Sequence, residues 1–462
     1  MSTGSRRQGA PAPLARMILL AAALSVAPGL AWGQEVAAGN QEPAATPAPP
    51  ADPLQAAEPV PASDEQEPML DDSLEAAETD GPVPRRRMTA WNRYEGPRFT
   101  IKAGLALMYD YGATTQDAAS ERQFGTIPSD SKWRDRRFVV EGTFPKHKRI
   151  VMWKSGFMYD GPTDSYLVRE TGLIVAVPEI KGHLFIGRTK EGYSLSKQMV
   201  GYAVWGFERS PINDATIPIM ADGIRWMGYL PKRHVLWNLG FYNEKYSQSA
   251  HFPYHDRQAV ARVAWLPYLS EESGSLLHIG LSLRYAEPQD GVLQLRARPE
   301  AFIAPYFLDT GKFPADHTRM IAPEVYWRHG SWLIGSEYSF VRASGPQHGD
   351  PVFHGGDLLF SWLATGETRR YSTRGGTFGF VRVNRSVFEG GPGAIEPVLR
   401  ISYTDLDDGP IQGGKLWRIS PLLAWHLSDE LRWTIGYGYG VLDRFGEKGA
   451  TQFFQTRLQL QF

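Results

Sequence analysis

Arg137, Lys154, Arg262, Arg284, Arg400, Arg418, Arg432 and Arg457 each stand inside a run of alternating polar and apolar residues, and Arg328 stands in one more. Each occupies the parity opposite to the large apolar side chains of its run. A guanidinium offers a planar fork to carboxylate or phosphate oxygens, and an ammonium acts as a point charge. Gathered on one wall, such groups would attract anions, and rings of Arg or Lys are how anion pores select. Glu141, Glu324 and Glu337 share the same parity and offer the opposite outcome, in which cations are neutralised and merely solvate the wall.

Charge balance favours the first and leaves the second open. The formal net charge is -1, but residues 1–33 hold three Arg and no acid, and residues 34–84 hold twelve acids and no Lys or Arg. Residues 85–462 therefore keep 46 of the 49 basic and 38 of the 50 acidic side chains, a net of +8 that exceeds what pairing absorbs.

Other chemistries find little support. The chain has no cysteine, which excludes disulfides, Fe–S clusters and thiolate metal sites. Its eleven His show neither HExxH nor paired spacing. DLDDG at 405–409 lacks the remaining ligands of a calcium loop, and GYGYG at 436–440 alternates within a strand instead of opening a helix. No catalytic residue, metal site, cofactor or nucleic-acid contact is expected, and the reading is not that of an enzyme.

The elements that must position the cations are strands. From about Trp91 onward, alternating segments of roughly ten residues recur between Gly, Pro, Asp and Asn clusters, and helical apolar spacing is nearly absent. Sixteen strands suit residues 89–462, while fourteen or eighteen also fit their length. Trp and Tyr gather near strand ends, as in aromatic girdles at a bilayer interface. A soluble sandwich would have to enclose all this behind one inner face, which is too large for one core. The final stretch TQFFQTRLQLQF puts Phe454, Leu458, Leu460 and Phe462 on one face and Arg457 with four other residues on the other. Its apolar face is expected to meet lipid. The fold class is all-β: a transmembrane antiparallel β-barrel with an inserted constriction loop.

Residues 1–33 combine Arg6, Arg7 and Arg16 with the run MILLAAALSVAPGLAW and small residues before Gln34, the pattern of a secretory signal peptide. Residues 34–88 are rich in Ala, Pro and acid without apolar periodicity, the composition of a disordered linker. Within the barrel portion, residues 191–223 lack alternation and are too long for a hairpin turn. Folded into the lumen, this loop would place Lys197, Glu208 and Arg209 at the narrowest point; left outside, it would be a surface loop on the extracellular rim.

The stretches WRDRRFVVEGTF, GRTKEGYSLSK and WGFERSP, and the block from WLATGETRRYSTRGGTFGF through GGPGAIEPVLRISYTDL, resemble the phosphate-selective porin O and P family. GAIEP departs from the family pattern in lacking a Trp. The resemblance implies a 16-stranded homotrimeric barrel in the outer membrane of a Gram-negative bacterium, in contact with its lipid, passing small anions such as phosphate or polyphosphate through an arginine-rich pore. The alternative is a non-conducting structural or adhesive barrel that binds a partner through its long loops. Paired or apolar interior residues are what a plugged barrel would carry.

Overall fold

The computed structural model describes residues 87–145, 150–243, 255–270, 272–345, 347–372 and 375–462. The expected signal peptide and all but the end of the expected linker lie outside these residues.

Period-two patterning becomes sixteen antiparallel staves. They are β1 (Ile101–Gln116), β2 (Asp130–Thr143), β3 (Val151–Asp160), β4 (Thr171–Val177, preceded in line by Ser165–Val168), β5 (Gly182–Thr189), β6 (Ala221–Leu230), β7 (Val235–Asn243) and β8 (His255–Ser270). They continue as β9 (Ser275–Pro288), β10 (His317–His329), β11 (Trp332–Ser344), β12 (Val352–Trp362), β13 (Ala394–Asp408), β14 (Ile411–His426), β15 (Leu431–Arg444) and β16 (Glu447–Gln461). Each stave pairs with the next, and β16 pairs with β1 from Thr451↔Gln116 to Gln461↔Ala106, so the sheet closes and has no free edge. A short hairpin, Arg87–Ala90 with Arg93–Glu95, attaches to the start of β1.

The two ends differ. The end nearest Phe462 carries mostly tight connections, such as 178–181 and 231–234. In both, a Pro opens one 3-10 turn and a left-handed residue closes it, Lys181 at φ 55 and His234 at φ 51. Short turns mark the periplasmic end of a bacterial barrel and longer loops the extracellular end. One long connection, 363–393, breaks that pattern on the periplasmic side.

Outward positions form the apolar belt, with Phe454, Leu458 and Phe462 all exposed on β16 and beyond its end. The amide of Phe462 donates to Leu105 O at 2.9 Å, and its ring meets Trp91 edge-on at 6.1 Å. Leu458 lies roughly 10 Å deeper along the tilted stave. Leu458→Arg should therefore cost about 2–4 kcal/mol in folding into vesicles, and Phe462→Asp no more than about 1 kcal/mol, because the penalty falls toward the interface. Equal losses at the two depths would contradict the outward assignment of this face.

The lumen is largely filled. Residues 190–220 fold inward with α2 (Leu195–Gln198) and α3 (Pro211–Thr216), whereas α1 (Ala118–Phe124), N-capped by Asp117, sits against β16 at the extracellular rim. Residues 289–316, with two short two-stranded pairs, and the described residues of 363–383, with one, fold inward as well, while 384–393 lie along the periplasmic turn at Leu427. Toward the extracellular end, Tyr193, Ile212, Leu293 and Phe307 pack with wall residues such as Met320, Phe353 and Phe453. Toward the periplasmic end, Leu195, Met199, Trp205 and Phe378 pack with Tyr326, Leu359 and Val398. Trp205 stacks on Tyr326 at 6.0 Å and meets Phe378 edge-on at 5.8 Å. The sequence pattern singled out one inserted segment; among the described residues the barrel contains three.

Candidate functional site

Every wall cation singled out by parity points inward and is buried: Arg137, Lys154, Arg262, Arg284, Arg328, Arg400, Arg418, Arg432 and Arg457. Most of them do not stand as a free ladder. Arg262 meets Glu324 at 2.6 Å, Arg284 forks onto Glu191 at 2.5 and 2.9 Å, and Arg457 forks onto Asp110 at 2.6 Å through both nitrogens. Arg400 pairs with Glu300, and Arg418 bonds Gln455 at 2.9 Å, Ser420 at 2.8 Å and the carbonyl of Pro299. Arg432 bonds Gln459 at 2.8 Å and Val204 O at 3.3 Å, and Arg328 bonds Gly274 O at 2.8 Å. Glu191, Glu300, Pro299 and Val204 belong to the inward segments, so these guanidiniums fasten the segments to the wall. An uncompensated guanidinium in this interior would cost several kcal/mol, which is why each finds acceptors.

The three residues expected at the narrowest point hold the loop together. Lys197 donates to Ile217 O at 2.8 Å, and burial pushes its ammonium down to about 8 against the opposing pull of Asp214. Arg209 donates to Ser196 O and Met199 O, each at 2.8 Å. Burial would raise Glu208, but Arg134 and Arg457 draw it down to about 2. Its carboxylate takes a fork from Arg134 at 2.5 and 2.8 Å and a third bond from Arg457 at 3.2 Å.

Open space lies elsewhere. A cavity of about 400 Å³ runs along the inner face of β2–β6, between residues 190–200 of the inward loop and the periplasmic turns at Pro178–Lys181 and Pro231. The staves β3–β7, which include most of this wall, have 7–10 residues, against 11–16 in all the others. Arg137, Lys154, Arg169, Lys181, Lys190 and Arg225 line the cavity, together with a single carboxylate, Glu170.

Two of the six are the expected Arg137 and Lys154. Arg137 bonds Asp135 at 2.5 Å and lies over the Tyr202 ring at 4.6 Å, while Lys154 pairs with Glu170 at 3.0 Å. The other four escaped the parity reading for local reasons. Arg169 and Glu170 occupy the break within the β4 line, where alternation is interrupted. Lys181 closes a turn and Lys190 follows the end of β5, so neither belongs to an alternating run. Arg225 does keep inward parity, in ADGIRWMGYL between Gly223 and Met227, and that signal was available. Its guanidinium bonds Asn238 at 2.7 Å and also reaches Gln198 of the loop. Lys190 donates to Met199 O at 2.6 Å and Gln198 O at 3.2 Å. Burial, then Arg209 and Arg169, push its ammonium well below the ordinary lysine range.

Among the described residues no group of three His, Asp or Glu is arranged to hold a metal. A closed barrel with a lipid-facing belt, three inward segments and a cation-lined cavity defines an outer-membrane porin. Residues 159–462 match the family described as phosphate-selective porin O and P, and the chain belongs to it. An uncharacterised protein of Caulobacter vibrioides is 28% identical over 181 residues, which cover 38% of this chain and 36% of that relative. Among solved structures, an anion-selective porin from Comamonas acidovorans aligns at TM-score 0.48 and 11% identity, over 79% of this chain and 100% of that one. The DcaP channel of Acinetobacter baumannii aligns at TM-score 0.49 and 10% identity, over 79% and 98%.

Proposed function

We propose that this porin passes small anions, phosphate among them, along the cavity at β2–β6. The observation that carries the reading is the lining of six cations against one carboxylate. Low-dielectric walls focus such a field on a permeating ion. The wall arginines of β8–β16 contribute less, because Glu324, Glu300 and Asp110 compensate them at contact distance. The outer membrane of a Gram-negative bacterium is the setting. A homotrimer is the assembly: β5, of 8 residues, is shorter than a lone membrane stave requires and gains from a neighbour's cover.

Reversal potentials in a dilute salt gradient test the reading, since screening is weak there. The native pore should favour anions, and Arg169→Gln/Lys190→Gln should lose most of that preference. The preference should also decline as pH rises from 7 to 9. A lysine whose basicity is depressed is charged below its own pKa and neutral above it, so Lys197, held down to about 8, sheds charge in this window. Cation preference in the native pore overturns the proposal.

A second reading has its own support. The packed lumen and the paired guanidiniums suit a barrel that conducts little and acts through its loops. Absence of any single-channel current from correctly folded protein would favour it.

A further inference from the structure

Apolar side chains inside a wet barrel call for an explanation, because lumen-facing positions are normally polar. Among the described residues, three of the four apolar clusters explain themselves, since each includes residues of an inward segment that cover the wall. The fourth does not. It consists of Met152, Ile174 and Phe185 with Ile150 and Met227 packed alongside, all from β3–β6 or the residue just before β3. No residue of the three inward segments belongs to it. Ile174, Phe185 and Met227 front the cavity, joined by Val200 from the loop.

The cavity is therefore two-sided. Nearer the loop lie Arg169 and Lys190. Arg169 donates to the sulfur of Met158 at 3.2 Å, and among the described residues Asp135 and Glu170 act on it only from beyond ion-pair distance. Lys190 uses two protons on carbonyl oxygens, and an ammonium has three. Nearer the periplasmic turns lie Ile174, Met227 and Pro231. A volume of about 400 Å³ holds a charged headgroup together with a short chain or a ring.

We propose that the cavity selects organic anions with an apolar body, such as short-chain or aromatic carboxylates and organophosphates, over bare inorganic anions of equal charge. The inference rests on the anion-passing reading and adds the class of solute. Arg169 and Lys190 hold the headgroup, and the body lies against Met227 and Val200. Inorganic phosphate would satisfy the cations and leave that apolar wall facing water. A solute with four or five carbons covers it, and each methylene withdrawn from water favours residence in the cavity.

Block of chloride current through the full-length protein in planar bilayers tests this, with acetate, hexanoate and hexan-1-ol as probes. Hexanoate should halve the current at about one-tenth of the acetate concentration, the ratio expected from withdrawing roughly two methylenes from water. Hexan-1-ol, lacking charge, should have little effect. Met227→Gln keeps the length of the side chain and should bring hexanoate to within about twofold of acetate; Val200→Thr, similar in shape, should narrow the ratio likewise if Met227→Gln does not assemble. An anion-selective native pore in which acetate and hexanoate block alike overturns this inference and leaves the anion reading standing. Equal block by hexan-1-ol and hexanoate also overturns it. Cation-selective reversal potentials would remove the anion reading itself.

Discussion

Replacing Arg457 with alanine should cost about 3–5 kcal/mol of barrel stability, the range for removing one partner of a buried ion pair. Arg457 faces Asp110 directly across the β16–β1 seam that closes the barrel. Its guanidinium forks onto that carboxylate, bonds Glu208 at 3.2 Å and donates to Phe207 O at 2.6 Å. Asp110 is 3% exposed, so water does not replace the lost partner. The compact band of folded protein on unheated gels should disappear at a markedly lower temperature. The double variant Arg457→Leu/Asp110→Leu should recover much of the loss, because it leaves no lone charge at the seam and Glu208 keeps its fork from Arg134. A double variant no more stable than Arg457→Ala would show that the seam depends on packing and not on charge compensation.

Glu324→Ala should have an effect of similar size with a different functional consequence. Glu324 and Glu337 are cross-strand partners on β10 and β11, and together they grip the start of α2. Glu324 accepts from the amide of Leu195 at 2.8 Å and from Arg262, and His278 Nε2 lies 2.9 Å away. Glu337 accepts from the amide and hydroxyl of Ser196, both at 2.7 Å. Without Glu324, Arg262 is left uncompensated with its side chain fully buried, at a cost of about 3–5 kcal/mol. The loop should loosen, so single-channel conductance should rise and trypsin should begin to cut at Lys197 or Arg209. A variant with native conductance and native trypsin resistance would show that the apolar packing of Leu195 and Trp205 holds the loop without this latch.

The staves were legible because their cause is local. Successive side chains of a strand point to opposite faces, so the parity of Phe454, Leu458 and Phe462 against Arg457 already separates lipid from lumen. The same parity placed Arg137, Lys154 and Arg262 inside, and the missing alternation of 191–223 marked one segment that leaves the wall. Ion pairing was not legible in this way. Arg457 meets Asp110 across 347 positions of chain, and Arg284 meets Glu191 across 93. Only barrel closure brings the first pair together, and only the inward course of the loop brings the second.

The functional consequence followed from the same division. A count of charges put the excess of cations on the whole barrel wall, whereas the tertiary structure compensates most of that wall with carboxylates from neighbouring staves and from loops. Among the cations facing the cavity at β2–β6, Arg169 and Lys190 stand at a strand break and a strand end. Composition and period two determined that this chain is a barrel with a charged interior. Which charges remain available to a solute was decided by loops whose paths depend on long-range packing, and that packing leaves no periodic trace in the sequence.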